Sequence, residues 1–296
     1  MSRGPLFDPI ASPYLVPFAQ PFDAARAPTK PPEDAPSKKD NQAALVELVE
    51  RLAARQALMY ADNRYSVLVV FQAMDAAGKD GTLRAVLSGV NPAGVEVASF
   101  KAPTPLELDH DFLWRCNAVA PPRGKLGIWN RSHYEEVLAV RVNPQFLGGQ
   151  RLPSGTDDLP ALWAERYESI RAYEQHLARN GTVILKFWFN VSKDEQRDRL
   201  LERIDQPESN WKFNADDLAA RSRWSDYMSA YSEAITATSR PWAPWYAVPA
   251  DSKSFMRRTV ADILVSTLEQ LPVHWPEVSE KTRAEMQAMR AQLAAE

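Results

Sequence analysis

The sequence predicts an α/β fold, a parallel sheet flanked by helices. Two observations predict it. Short continuous runs of apolar, largely β-branched residues recur along the chain, as strands buried on both faces require. Between them lie longer stretches whose apolar residues recur at helical spacing, and strands alternating with helices are the pattern of βαβ units. Composition agrees: of 296 residues, 45% are hydrophobic and 25% charged, enough for a sizeable core in one large domain or two small ones.

The elements follow in order. Residues 1–39 stand apart, because nine of the 23 prolines fall between Pro5 and Pro36, interleaved with single apolar residues such as Tyr14, Leu15, Val16 and Phe18. Missing N–H donors argue against helix or central strand there, which leaves an arm, either free or packed in extended form on the body or a neighbouring subunit. Asp40 or Asn41 can cap the first helix, with Leu45, Leu48, Val49 and Leu52 on one face. Residues 66–71 form the first strand, 73–81 a glycine-containing turn, and 82–87 open a helix. Further strands are expected at 95–100, 125–129, 182–189 and 245–248. Helices are expected at 106–114, 132–140, 163–179, 193–204, 215–237 and 254–271. A charged, solvated helix at 276–296 closes the chain and leaves 40–275 as the core domain.

A formal net charge of −3 argues against general attraction to nucleic acid or anionic membrane, so a polyanion site must be a local basic cleft. No apolar run approaches a membrane span, and no signal-like segment opens the chain. The single cysteine, Cys116, can form neither an internal disulfide nor a cysteine metal cluster, and it lacks an activating context. The expectation is a cytoplasmic protein without nucleic-acid or membrane partners.

The segment Ala73-Met-Asp-Ala-Ala-Gly-Lys-Asp-Gly-Thr82 lies between a buried strand and a helix. Turn N–H groups and the positive end of a helix dipole hold phosphate oxygens at such a place. Gly78 lets the backbone curl round an anion and Lys79 supplies a point charge, with Ala76, Ala77, Asp80, Gly81 and Thr82 completing the cradle. Against the Walker A pattern G-x-x-x-x-G-K-[ST], Ala73 replaces the first glycine and Asp80 the magnesium-binding hydroxyl. A plain strand-to-helix turn with a surface lysine is therefore the competing reading of this segment alone. Asp75 is informative, since a carboxylate in a phosphate turn repels its ligand unless a divalent cation intervenes or it aligns an acceptor phosphate.

A second constellation, Gly127-Ile-Trp-Asn-Arg-Ser-His-Tyr-Glu135, leaves a strand for a helix. Asn130 stands where phosphate-loop enzymes carry an acidic residue, and Arg131 can make bidentate contact with phosphate or an ordinary strand-end salt bridge. His110 lies between Asp109 and Asp111, but consecutive side chains on a helix diverge and cannot share a metal.

These segments resemble the family-2 polyphosphate kinases. The match includes Asp75-Ala-Ala-Gly-Lys79, Ser99-Phe-Lys-Ala-Pro103, Leu108-Asp-His-Asp-Phe-Leu-Trp-Arg115 and Asn130-Arg-Ser-His-Tyr-Glu135. It continues through Glu202-Arg-Ile-Asp205, Asn210-Trp-Lys-Phe213, Ala243-Pro-Trp-Tyr246 and Pro249-Ala-Asp251, over about residues 40–270. The resemblance implies a P-loop kinase fold with a helical lid at about 190–224, magnesium or manganese as cofactor, and a homo-oligomer, dimer or tetramer. It implies catalytic roles for Asp75, Lys79 and Arg131, and metal binding by Asp75 and Glu135. Nucleotide or polyphosphate contacts are implied for the loop residues, Asn130, His133, Glu135, Arg203 and Lys212. The lid is not basic overall: residues 190–224 hold seven basic residues (Lys193, Arg197, Arg199, Arg203, Lys212, Arg221, Arg223) and eight acidic ones.

The resulting expectation is a kinase that moves the terminal phosphoryl group of inorganic polyphosphate reversibly to adenine, or guanine, nucleotides. Many diphosphate users in the family begin the second motif with aspartate and carry asparagine where this chain has Glu135. The pairing of Asn130 with Glu135 resembles the subgroup that converts AMP to ADP and ADP to ATP. The rival readings are an ATP-dependent nucleotide kinase on the same architecture and a non-catalytic nucleotide sensor; Asp75, Lys79 and Arg131 together favour an enzyme.

Overall fold

The computed structural model describes residues 6–212, 214 and 216–296. Five strands, β1 (Ser66–Ala73), β2 (Val95–Ser99), β3 (Leu126–Asn130), β4 (Thr182–Asn190) and β5 (Trp245–Pro249), form one parallel sheet in the order β2-β3-β1-β4-β5. Every residue of β1, β4 and β5 is buried, which is why these strands read as largely apolar runs, with Lys186 the one charge inside them. β2, at the edge, leaves Val97 exposed.

The order places β1 at the centre, flanked by β3 and β4. Chain crossovers depart in opposite directions from such a strand, and a crevice opens beyond its carboxyl end. Register brings Phe71 beside Asn130 and Ala73 beside Phe189, so the loop after β1 and the loop after β3 emerge side by side.

The longer helices are α1 (Lys38–Asp62), α2 (Lys79–Val86), α3 (Leu159–Arg179), α4 (Lys193–Asp205), α5 (Asp216–Ser222), α6 (Trp224–Thr238), α7 (Lys253–Gln270) and α8 (Glu280–Leu293). α1 and α2 pack on α7, while α3 packs on β4 and α6. α8 buries no residue.

Several sequence expectations are corrected. Ser37, not Asp40 or Asn41, caps α1: its Oγ accepts the Asp40 N–H at 3.2 Å. α2 opens at Lys79 rather than at residue 82, so the phosphate turn runs directly into the first helical turn. The expected helix at 106–114 is two one-turn pieces, Pro105–Leu108 and Trp114–Asn117, because the Asp111 carboxylate takes the Leu113 N–H and closes a turn between them. Residues 133–137 form a 3₁₀ turn followed by a short helix, Ala139–Val142. The helix expected at 215–237 is broken into α5 and α6 at Arg223.

The proline-rich arm is packed. Leu15 bridges Tyr246 in antiparallel fashion, with Val16 N–H donating to Trp245 O at 2.9 Å and Ala247 N–H to Tyr14 O at 2.8 Å. The arm then crosses the carboxyl ends of β4 and β5. There Asn190 Nδ2 donates to Ala27 O (2.8 Å), and Asp251 N–H donates to Thr29 O (2.9 Å). Phe7, Val16 and Ala24 join the core. Deleting residues 1–36 is expected to lower Tm by about 10 °C in a thermal melt, since burying one large apolar side chain contributes roughly 1.5–3 kcal/mol. An unchanged Tm would mean the arm only rests on the surface.

Candidate active site

The turn after β1 adopts a backbone that most side chains avoid: Ala76 has φ 60° and Gly78 φ 106°. Alternation of right- and left-handed residues turns successive N–H groups to one side and makes an anion-binding concavity. At Gly78 an added Cβ would lie 3.1 Å from Met256 as well as meeting the unfavourable φ. The loop carbonyls are tied on the other side. Gln196 of α4 donates to Asp75 O at 3.0 Å, and Arg199, one helical turn on, donates to Ala76 O (3.2 Å) and Ala77 O (2.8 Å). The same guanidinium reaches Ala250 O at 2.7 Å and is paired through Nε with Glu195 at 2.8 Å. Arg221 of α5 donates to Gln196 Oε1 at 3.1 Å, so α4 and α5 both bear on this clamp.

Lys79 is nearly buried under the loop. Its ammonium donates to Ala73 O at 3.1 Å and Met74 O at 3.3 Å, which leaves one of three N–H donors for the cavity. Burial, followed by the repulsion of Arg131, pulls its pKa down to about 8, against the opposing pull of Asp75, Glu135 and Asp80.

Two bonds join this loop to the one after β3. Asn130 Nδ2 donates to Asp80 Oδ1 at 2.8 Å, and Arg131 forms a direct ion pair with Asp75. Arg131 itself has φ 64°, and its N–H donates to Phe71 O at 3.0 Å, which turns the guanidinium back over the phosphate loop. Glu135 Oε2 lies 3.6 Å from the same guanidinium. Glu135 and then Asp75 outweigh burial and raise the Arg131 pKa, so the arginine stays charged throughout the ordinary pH range. The Gln72 amide, with its nitrogen toward Glu135 Oε1 at 3.0 Å and its oxygen accepting from Ser132, fixes the glutamate from below.

The expected cradle residues Asp75 to Gly81, with Asn130, Arg131 and Arg203, line one cavity of about 410 Å³. Thr82 is fully buried beneath the loop, its Oγ1 without a hydrogen-bond partner. Arg203 Nη1 is 2.7 Å from Asp217 Oδ2, an ion pair between α4 and α5. The Lys212 side chain lies outside the described residues. Arg199 lines the same cavity and grips the loop through its carbonyls.

His133 departs most from expectation. It is 1% exposed and sits in the core beside Glu174, 3.5 Å away, not in the cavity. Burial lowers its pKa and keeps the ring neutral. It belongs to a buried network in which Lys186 donates to Glu174 (2.6 Å), Tyr134 Oη (2.8 Å) and Thr238 O (2.9 Å), while Tyr134 Oη donates to Glu174 at 2.8 Å.

Among the described residues no three His, Cys, Asp or Glu side chains converge to hold a metal alone. The donors at hand are oxygens: the Asp75 and Glu135 carboxylates, and Asn130 Oδ1, buried without a hydrogen-bond partner. That set fits magnesium, which takes one or two carboxylates and completes its shell with water and phosphate oxygens.

The Polyphosphate kinase 2 family matches residues 35–274. An ADP-polyphosphate phosphotransferase of Rhodopseudomonas palustris is 51% identical over 271 residues, covering 92% of this chain and 94% of the relative. An AMP/ADP-polyphosphate phosphotransferase of Meiothermus ruber is 49% identical over 234 residues, 79% of this chain and 83% of its own. The crystal structure of Polyphosphate Kinase 2 from Arthrobacter aurescens TC1 superposes with a TM-score of 0.83 at 36% identity, covering 95% of this chain and 99% of that one. With a phosphate loop on a central parallel strand and this extent of likeness, the chain belongs to the polyphosphate kinase 2 family.

Proposed function

We propose that the protein transfers the terminal phosphoryl group of inorganic polyphosphate to adenine nucleotides, converting AMP to ADP and ADP to ATP, with magnesium as cofactor. The observation that carries the reading is the Asp75–Arg131 pair standing at the mouth of the Lys79 loop. The loop amides and the Lys79 ammonium hold the phosphates next to the scissile bond. Arg131 lies where donor and acceptor phosphates meet and offsets the charge that spreads over the transferred group. The attacking phosphate oxygen is already ionised, so no side chain has to remove a proton, and catalysis is positioning plus neutralisation. Asp75 would hold magnesium, which would supply further neutralisation of phosphate charge. The test is incubation with polyphosphate, magnesium and AMP or ADP in the absence of ATP. Formation of ADP or ATP is expected; no product at any magnesium concentration would overturn the reading.

Acceptor choice falls to Glu135. The two relatives named above are almost equally similar yet are named for different acceptors, so overall likeness does not decide between them. AMP places its reacting oxygen one phosphate short of ADP, and Glu135, held between Gln72 and Arg131, stands next to the arginine that must meet both. Its carboxylate would hold a metal or water beside the shorter acceptor. Glu135→Asn is expected to lower kcat/KM for AMP about tenfold more than for ADP, the loss of one charge-assisted contact. Equal losses for both acceptors would reduce Glu135 to a support for Arg131.

A further inference from the structure

We propose that Gln196 is a positioning residue for Asp75, and that through it Arg221 of α5 sets the geometry of the Asp75–Arg131 pair. The proposal deepens the functional reading above and rests on it for its kinetic test. Gln196 stands at the fourth position of α4 and is 0% exposed. Its amide is used at both ends: Nε2 donates to Asp75 O at 3.0 Å, and Oε1 accepts from Arg221 Nη1 at 3.1 Å. The two partners fix which end is nitrogen, because a carbonyl cannot donate and a guanidinium cannot accept. The same Nη1 also donates to Lys193 O, which seats Arg221 on the start of α4. Further along, the Arg203–Asp217 ion pair at 2.7 Å joins the two helices again.

Only an amide of this length can serve here. Glutamate would accept from Arg221 but could not donate to the carbonyl, lysine would donate but not accept, and methionine would do neither. The carbonyl that Gln196 holds belongs to the residue whose carboxylate pairs with Arg131. The next residue, Ala76, has φ 60°, a left-handed conformation that a residue with a Cβ keeps only when its surroundings hold it. Three successive carbonyls hold the turn from outside, and their duties divide. Arg199 takes Ala76 O and Ala77 O and so keeps the amide cradle in place. Gln196 takes Asp75 O, fixing the peptide plane that follows Asp75 and with it the direction in which the carboxylate leaves. A misplacement of about 1 Å in a positioned group costs up to about 10²-fold in rate. The path from α5 to the ion pair is a contiguous chain of contacts, Arg221 to Gln196 to Asp75 to Arg131.

The experiment is a double-mutant cycle in the full-length protein, with Gln196→Met, Arg221→Met and the two combined, assayed with polyphosphate, ADP and magnesium. Gln196→Met is expected to lower kcat about tenfold while KM for polyphosphate and for ADP stays within about twofold, because Arg199 still holds the amide cradle. Arg221→Met is expected to lower kcat about threefold, and the double variant to match Gln196→Met alone, since the arginine acts through the glutamine. Gln196→Glu fills the same volume and still accepts from Arg221, so a role in packing alone would leave it active; it is expected to be as slow as Gln196→Met. Losses that multiply in the double variant, a rise in KM with kcat unchanged, or a Gln196→Glu protein of normal kcat would overturn the proposal. Should Gln196→Met fail to fold, the Gln196→Glu and Arg221→Met proteins carry the same expectations. If the unmodified protein transfers nothing from polyphosphate, the functional reading has failed, and hydrogen exchange of the loop amides at 74–78 still decides the positioning role. Faster exchange in Arg221→Met supports it, and an unchanged rate overturns it.

Discussion

Lys79→Ala is expected to lower kcat by about 10²–10³-fold, the usual cost of removing one preorganised charge from a developing anion. Thermal unfolding should barely move. The ammonium is almost wholly desolvated and held by only two carbonyls, so the fold gains little from it. The same burial sets a pH signature. With a pKa of about 8 in the free protein, Lys79 loses its charge as pH rises through that value, and kcat/KM for polyphosphate should fall with it. Bound phosphate favours the protonated form, so the limb in kcat should lie at higher pH. The stability sign is opposite: the unfolded lysine keeps its proton to about 10.5, so between about pH 8 and 10.5 this group alone makes folding more favourable as pH rises. A kcat/KM profile flat from pH 7 to 9 would remove the lysine from donor binding.

Lys186→Met carries the largest expected cost in stability. Lys186 and Glu174 are 0% and 1% exposed, and their ion pair lies in the core behind the loop that carries Arg131. Burial brings the Lys186 pKa to about 8, while the Glu174 pKa is lowered: the Lys186 and His133 contacts outweigh burial, the largest single influence, which raises it. The pair is therefore ionised at neutral pH. Removing the lysine leaves a buried carboxylate uncompensated, which costs about 3–5 kcal/mol and a fall in Tm of about 10 °C. The double variant Lys186→Met/Glu174→Leu should recover much of that loss, because an apolar pair needs no compensation. Calorimetric melts of the three proteins decide the matter; a double variant less stable than the single would show that Tyr134 and Thr238 depend on the charges themselves.

What was legible in the sequence follows from what each signal measures. β1 and β4 announce themselves because burial on both faces leaves them almost wholly apolar, with Lys186 the one charge in either strand. The phosphate loop was legible as chemistry, since Gly78 and Lys79 have few other uses side by side at a strand end. Periodicity failed at 106–114, where Asp111 closes a turn that a hydrophobic count cannot register. It failed differently for His133 and Arg199. Each stands in a motif or helix face that looks solvent-facing, and each is turned inward by partners distant in sequence: Glu174 for the histidine, the loop carbonyls for the arginine. Gln196 left no trace, because one glutamine on a charged helix is indistinguishable from its neighbours until the helix is seen to lie against Asp75.

The packed arm has a consequence for the order in which the chain can fold. Its partners come late in synthesis: the Asp8 N–H bonds a side chain 262 residues further on, and Leu15 waits for Tyr246. While the ribosome is still making β1 to β4, the arm has nothing to dock against. Closing so long a loop carries an entropy cost that is recovered only once β5 is in place. The arm is therefore first made and last seated. Until it seats, the outer edge of β5 stays open to any other extended chain, which gives the nascent protein an interval of exposure that ends when Leu15 meets Tyr246.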